Sequence, residues 1–317
     1  NNISNGILLS TGVGGNNIID GNTVSANGKN GVSISSSNNT VTNNTITGNA
    51  TTNTQGAGIA LFDPVSGNTI QFNTITGNTG FGGVGSTSSG TNDISKNWWG
   101  SATGPTNTNN PGGTGDVLWT NKDITLLTYS PWLANPPVHN VTQGTYHATI
   151  QAAIDAAANG DTIEVPAGTY VEDVTVTNKF FNLIGEVDGT GAPVSILQGT
   201  LSIDIPTTTP EFTNIKNIYF EGTDNHLLIL KNINGALIEN CVFDGNGRFM
   251  TTPQINGINL ESSPNGNTDI TVTGSLFKDG LYVGIGGKAN GLTVTGSYFT
   301  NVKSGINLQG GGNLVVT

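Results

Sequence analysis

A chain of 317 residues with 46 Gly, 12 Pro, 34% apolar and only 10% charged residues is made of many turns joined by short β-prone runs, with few helices. A net charge of -11, with Arg248 the single arginine, leaves no basic surface for phosphate and argues against nucleic acid as a partner. The lone Cys241, best read as a packing residue, excludes an internal disulfide framework, and no apolar run reaches the roughly 20 residues of a membrane-spanning helix.

Asn1 is not an initiator methionine, so a processed or excised segment is expected, and few lysines with acceptor triplets at Asn2, Asn38, Asn43, Asn49 and Asn140 fit an exported chain. From residue 17 an eight-residue unit recurs: NIIDGNTV (17–24), NTVTNNTI (39–46), NTIQFNTI (68–75) and NDISKNWW (92–99). Positions three and eight are apolar and positions five and six are small or turn-forming. The starts lie 22, 29 and 24 residues apart. A period near 22 is about one coil of a parallel β-helix, three short strands with alternate side chains pointing in, and 29 is a coil carrying a loop insertion. Position six is Asn at Asn22, Asn44, Asn73 and Asn97, so stacked amides predict an asparagine ladder.

This first set of coils ends at NWWGSATGP (97–105) and YSPWL (129–133), which makes 1–133 one domain, and ANPPVHN (134–140) opens a linker expected over 134–143. A second domain is expected over 144–317. It begins with a short amphipathic helix: Ile150, Ala153, Ile154 and Ala157 share a face, Thr149 is the N-cap and Asn159-Gly160 the stop. Strands follow at Thr162–Val165 and Val174–Val176. The unit then returns as TNIKNIYF (213–220), ALIENCVF (236–243), ITVTGSLF (270–277) and LTVTGSYF (292–299), which predicts an inward column of Phe243, Phe277 and Phe299.

TIQAAIDAAANGDTIEVPAGTYVEDVTV (149–176) resembles the opening segment of right-handed parallel β-helix proteins of the pectate-lyase-like superfamily, where a helix plugs the N-terminal end of the solenoid. The NNTITGN coils (43–49) and the NWWG…SPWL ending are similar to secreted and cell-surface proteins with parallel β-helix repeats. The resemblance implies an all-β, right-handed parallel β-helix whose N-terminal-type capping helix sits in mid-chain. It says little about activity, because the superfamily hosts lyases, hydrolases, esterases, epimerases, adhesins and structural proteins.

The order of parts is reversed: 1–133 reads as the back half of a β-helix and 144–317 as the front half. Joining the ends gives LVVTNNIS, another copy of the unit, with Asn2 at the ladder position. An assembly interface is therefore expected at Leu314, Val315, Val316 and Thr317 against Asn1, Asn2 and Ile3, with the chain its own head-to-tail partner in a filament or a covalent tandem array.

Lyase-like chemistry on this fold needs a Ca²⁺ site of carboxylates and a basic residue; esterase-like chemistry needs two aspartates and an arginine; polygalacturonase-like chemistry needs paired aspartates with His-Gly and Arg-x-Lys. None of those motifs is present. The best acidic constellation is Asp244, Glu261, Asp269 and Asp279 with Arg248 and Lys278, a set that could serve as acid and base or hold Ca²⁺. The plainer reading makes Asp244 and Asp279 turn residues ahead of Gly245 and Gly280. His139, His147 and His226 have no metal-ligand spacing. Trp98 and Trp99 are expected to cover the last coil's apolar end, Phe81 to sit in an exposed loop, and Tyr219 and Tyr282 to face outward. The sequence thus favours a non-enzymatic, cofactor-free structural protein of the cell surface or extracellular space, with surface glycans as a further partner; the alternative is a polysaccharide-active enzyme or carbohydrate-binding module.

Overall fold

The computed structural model describes residues 2–206, 212–222, 225–247, 254–261 and 266–317. They form two compact units, Asn1–Pro137 and Val138–Thr317. Each is an all-β solenoid of parallel strands.

In unit 1 the strands are mostly three residues long, with the middle residue inward in two of the sheets and the two outer ones inward in the third, as at Val32 and Ile34. Thr23–Ser25, Thr45–Thr47 and Thr74–Thr76 bury Val24, Ile46 and Ile75 and turn their flanking Thr and Ser outward, where β-branched polar residues suit a solvated sheet. These strands stack in register, Val24 on Ile46 and Ile46 on Ile75, and form one sheet. A second stacks Ile18–Asp20, Thr40–Thr42, Thr69–Gln71, Asn92–Asp93 and Leu127–Thr128; a third runs from Ile7–Leu9 through Val32–Ile34, Ile59–Leu61 and Val84–Ser86 to Gly115–Thr120.

Unit 2 uses longer strands, typically four residues with two side chains inward. One sheet stacks Gly168–Tyr170, Ser195–Gln198, Ile218–Glu221, Val242–Asp244, Leu276–Lys278 and Tyr298–Thr300. The other two strand columns merge into one sheet because Val283–Thr295 and Ser304–Val316 run unbroken around a corner. The helix spans Ile150–Ala156, with Thr149 Oγ1 accepting the Ala152 N–H at 3.0 Å. The Glu172 carboxylate accepts the Ile150 and Gln151 N–H groups, and Lys179 Nζ donates to the carbonyls of Ile154 and Asp155, so opposite charges sit at the two helix ends that favour them.

The segment expected as a linker over 134–143 is partly built into unit 2. Val138–Asn140 pairs antiparallel with both Thr145–His147 and Thr162–Val165, because Val138 and Asn140 are fully buried and need partners. This hairpin and the helix close the first coil of unit 2.

Candidate functional site

The corners of unit 1 carry more ladder than the single column expected. Asn22, Asn44 and Asn73 each donate backbone N–H and Nδ2 to the Oδ1 of the Asn one coil on, ending at Asn97. Asn17, Asn39, Asn68 and Asn92 form a second ladder with the same geometry. Asn27, Asn49 and Asn78 form a third, which ends on Asp116: its carboxylate accepts Gly77 N–H, Asn78 N–H and Asn78 Nδ2. Burial raises the Asp116 pKa, and the bonds from Asn78 and Gly77 pull it back. Ahead of the first ladder's amides lies a left-handed residue, Gly21, Asn43, Phe72 or Lys96, with φ between 55° and 66°. That conformation turns the chain, and the amide behind it satisfies the corner's buried backbone groups.

Asn2 is the exception to the expected register. Its Nδ2 donates to Asn27 Oδ1 at 3.0 Å, so it belongs to the third ladder and not to that of Asn22. The reason is in the sequence: Asn2-x-x-Asn5-Gly6-Ile7 repeats as Asn27-x-x-Asn30-Gly31-Val32, and Asn30 Nδ2 bonds Asn5 Oδ1. A direct junction of Thr317 to Asn1 would therefore lack one strand and its corner, the five residues separating Asn22 from Asn27. Of the other expected interface residues Asn1 lies outside the described residues and the rest are open, with Ile3 81% and Val316 57% exposed and Leu314 and Val315 about half exposed.

The acidic constellation does not assemble. Asp244 and Asp279 do meet: Lys278 Nζ lies 2.7 Å from Asp244 Oδ2 and 3.1 Å from Asp279 Oδ2. Tyr219 O–H also donates to Asp244 Oδ2, and Asn246 N–H to its Oδ1, which is the turn contact expected of an Asp before Gly. Burial opposes the Lys278 charge, but its bonds to Asp244, Tyr219 and Asp279 outweigh this and raise its pKa. An ammonium so held is a poor proton donor, and it occupies the position a cation would take between the carboxylates. Asp269 lies in a different sheet, at φ 52° in a strand irregularity beside Gly291, and Glu261 follows Asn256–Leu260. Arg248 lies outside the described residues. Among the described residues no group of three His, Cys, Asp or Glu side chains is placed to hold a metal ion.

The sequence family described as "Right handed beta helix region" matches residues 1–104. With the coil-by-coil parallel register of both units, that decides the architecture. The chain folds as a parallel β-helix. A search of curated proteins gives no match.

Other residues singled out in this β-helix fall mainly into its packing. Phe220, Phe243, Phe277 and Phe299 stack face to face at 4.9, 4.7 and 4.7 Å, the spacing of neighbouring strands, and Phe220 extends the expected column by one coil. Cys241 is fully buried two residues before Phe243, where burial pushes its thiol up to about 12. Trp99 is fully buried in the unit 1 core, while Trp98 is half-buried. Phe81 is not loose: it is half-buried and stacks on Trp119 at 3.9 Å. Two acceptor triplets are closed to modification in the folded chain, since Asn49 and Asn140 are fully buried, Asn49 in a ladder and Asn140 on Asp161.

Proposed function

We propose that this protein is a structural module of an extracellular or cell-surface fibre, sheath or stalk, and that it works by continuing its solenoid into further coils. On this reading it is not an enzyme and needs no cofactor. The observation that carries it is the common polarity of the three asparagine ladders of unit 1. In each ladder the earlier coil donates and the later coil accepts, as in Asn22 N–H to Asn44 Oδ1, while the separate Asn5–Asn30 column runs the other way, with Asn30 Nδ2 donating to Asn5 Oδ1 and Ala57 N–H to Asn30 Oδ1. Unit 2 repeats this with other residues: Cys241 N–H to Ser275 Oγ, Ser275 N–H to Ser297 Oγ, and Ile233 N–H to Asn267 Oδ1.

A ladder of this kind accepts a coil only in one direction, so two copies meeting by the same face would set acceptor against acceptor. Stacking is head-to-tail, the contact type that propagates. Unit 2 begins under a helix and an antiparallel hairpin, whereas Ser304–Val316 pairs along one side only. In unit 1 the first strand of each sheet, Ile7–Leu9, Ile18–Asp20 or Thr23–Ser25, pairs along one side only, with Ile18 73% exposed.

The test is electron microscopy of the undenatured protein paired with its mass under denaturing conditions. Filaments are expected, built of subunits if the denatured mass is near 32.6 kDa and of covalent tandem arrays if it is much larger. Isolated short rods at every concentration overturn the reading.

A further inference from the structure

Unit 2 holds a groove of about 490 Å³ that neither the ladders nor the acidic cluster uses. It lies over strands whose facing positions are Ile229, Asn259, Gly286 and Asn307, in register coil by coil. The missing side chain at Gly286, between two asparagines, makes the floor. Nothing in the backbone demands glycine there: an added Cβ would meet side-chain atoms, Asn256 Nδ2 at 3.0 Å and Val283 Cγ1 at 3.4 Å. Gly287 is different, with φ 113° and an added Cβ 2.0 Å from the Leu260 carbonyl. The space above Gly286 is therefore a choice of side chain and not a consequence of chain geometry.

The lining chemistry is specific. Gln254, Asn256, Asn259, Asn307 and Gln309 place amides around the floor, each carrying both donors and acceptors, which is what a hydroxyl group needs. Asn256 Nδ2 donates to Asn259 Oδ1 at 3.1 Å, orienting both amides. His226 Nδ1 accepts the Asn256 N–H at 3.0 Å, which fixes the neutral tautomer with its proton on Nε2. Tyr282 adds a ring steadied by Lys303 Nζ, 4.0 Å from its centroid. Glu261 and a net charge of -11 disfavour polyanions, with Lys288 the one lysine among the described lining residues.

We propose that this groove binds a neutral pyranose oligosaccharide, the amides pairing with its hydroxyls and the Tyr282 ring lying against a sugar face. The site stands whether or not the coils continue into a filament, and gives the rod an attachment point for a glycan surface.

Calorimetric titration with cellotetraose and chitotetraose, and with trigalacturonate as the acidic control, tests it. Saturable binding of at least one neutral tetrasaccharide and none of the acidic sugar is expected. Gly286→Leu fills the floor and Tyr282→Ala removes the ring; each is expected to weaken binding at least tenfold with filament formation unchanged. Should Gly286→Leu melt early, Asn307→Ala, on an exposed position, is expected to weaken binding threefold or more. No binding of either neutral sugar, preference for trigalacturonate, or undiminished affinity in the well-folded variants overturns the proposal.

Discussion

The two units read the same eight-residue phrase with different side chains. Position six is Asn22, Asn44, Asn73 and Asn97 in unit 1, but Ile218, Cys241, Ser275 and Ser297 in unit 2. Position eight is Val24, Ile46, Ile75 and Trp99 in the first, and Phe220, Phe243, Phe277 and Phe299 in the second. Both positions point inward and share one corner of the coil, so the volume taken at one is lost at the other. Unit 1 combines a hydrogen-bonding amide with a mostly aliphatic neighbour, while unit 2 gives the corner to a phenyl ring beside a small residue at Cys241, Ser275 and Ser297, the first coil's Ile218 being the exception. One corner is held by directional bonds and the other by stacking and burial.

Removing a ring should have the largest effect. Phe243 is fully buried between Phe220 and Phe277, so Phe243→Ala is expected to cost about 3–5 kcal/mol in unit 2. Urea unfolding followed by a probe in each unit should show the unit 2 transition shift while that of unit 1 stays; equal shifts in both would mean that the units do not unfold independently. Next comes the ladder. Asn73 accepts from Asn44 and donates to Asn97 and to the Val41 and Gln71 carbonyls. Asn73→Ala leaves several of these buried groups unpaired and is expected to cost about 2–3 kcal/mol in unit 1 alone, read by the same unfolding curves.

An exchange of side chains probes the shared volume directly. Ser275→Asn places the unit 1 amide beside Phe277, and the overpacking is expected to cost about 1–3 kcal/mol. Adding Phe277→Ile to that variant recreates the unit 1 pair and should cost less than the two single changes summed. Simple additivity in this double-mutant cycle would show that the two positions do not compete for space.

Much of this was legible from sequence, for a physical reason. A solenoid coil must repeat its inward residues, so the spacing of Ile, Val and Phe announced the coils, and the Phe243, Phe277 and Phe299 column was visible before any coordinates. The helix was equally plain, since its cap, apolar face and stop are all local. The second and third ladders were present but unread: Asn17, Asn22 and Asn27 recur as Asn39, Asn44 and Asn49, and as Asn68, Asn73 and Asn78, in steps of five that equal one three-residue strand and a two-residue corner. Attention to that step would also have placed Asn2 beneath Asn27. The acidic constellation failed because outward side chains obey no such repeat. Asp244 meets Lys278 only because Val242–Asp244 and Leu276–Lys278 are neighbours in one sheet, while Asp269 falls in another. The groove left no trace, since its mark is the missing side chain of one glycine among 46.

The smallest expected effect separates the units by pH. Asp161 is buried, and bonds from Asn140 first, then from the Ala158 N–H and Gln143, hold its pKa below the usual carboxylate value. A depressed folded-state pKa contributes stability that is fully present above the unfolded-state value and is lost as pH falls through the folded one. Asp116 works in the opposite direction: burial raises its pKa, so it stabilises unit 1 most when protonated and loses that contribution as pH rises through its folded value. Acidification from pH 7 towards pH 3 should therefore lower the urea midpoint of unit 2 through Asp161 and relieve unit 1 through Asp116. Asp161→Asn keeps the shape of the side chain and removes its titration, so it should flatten the acid limb for unit 2, whereas Asp116→Asn should leave that limb alone and change the unit 1 curve. Unchanged acid limbs in both variants would mean that the half-buried Asp116 and the buried Asp161 do not set the acid response of either unit.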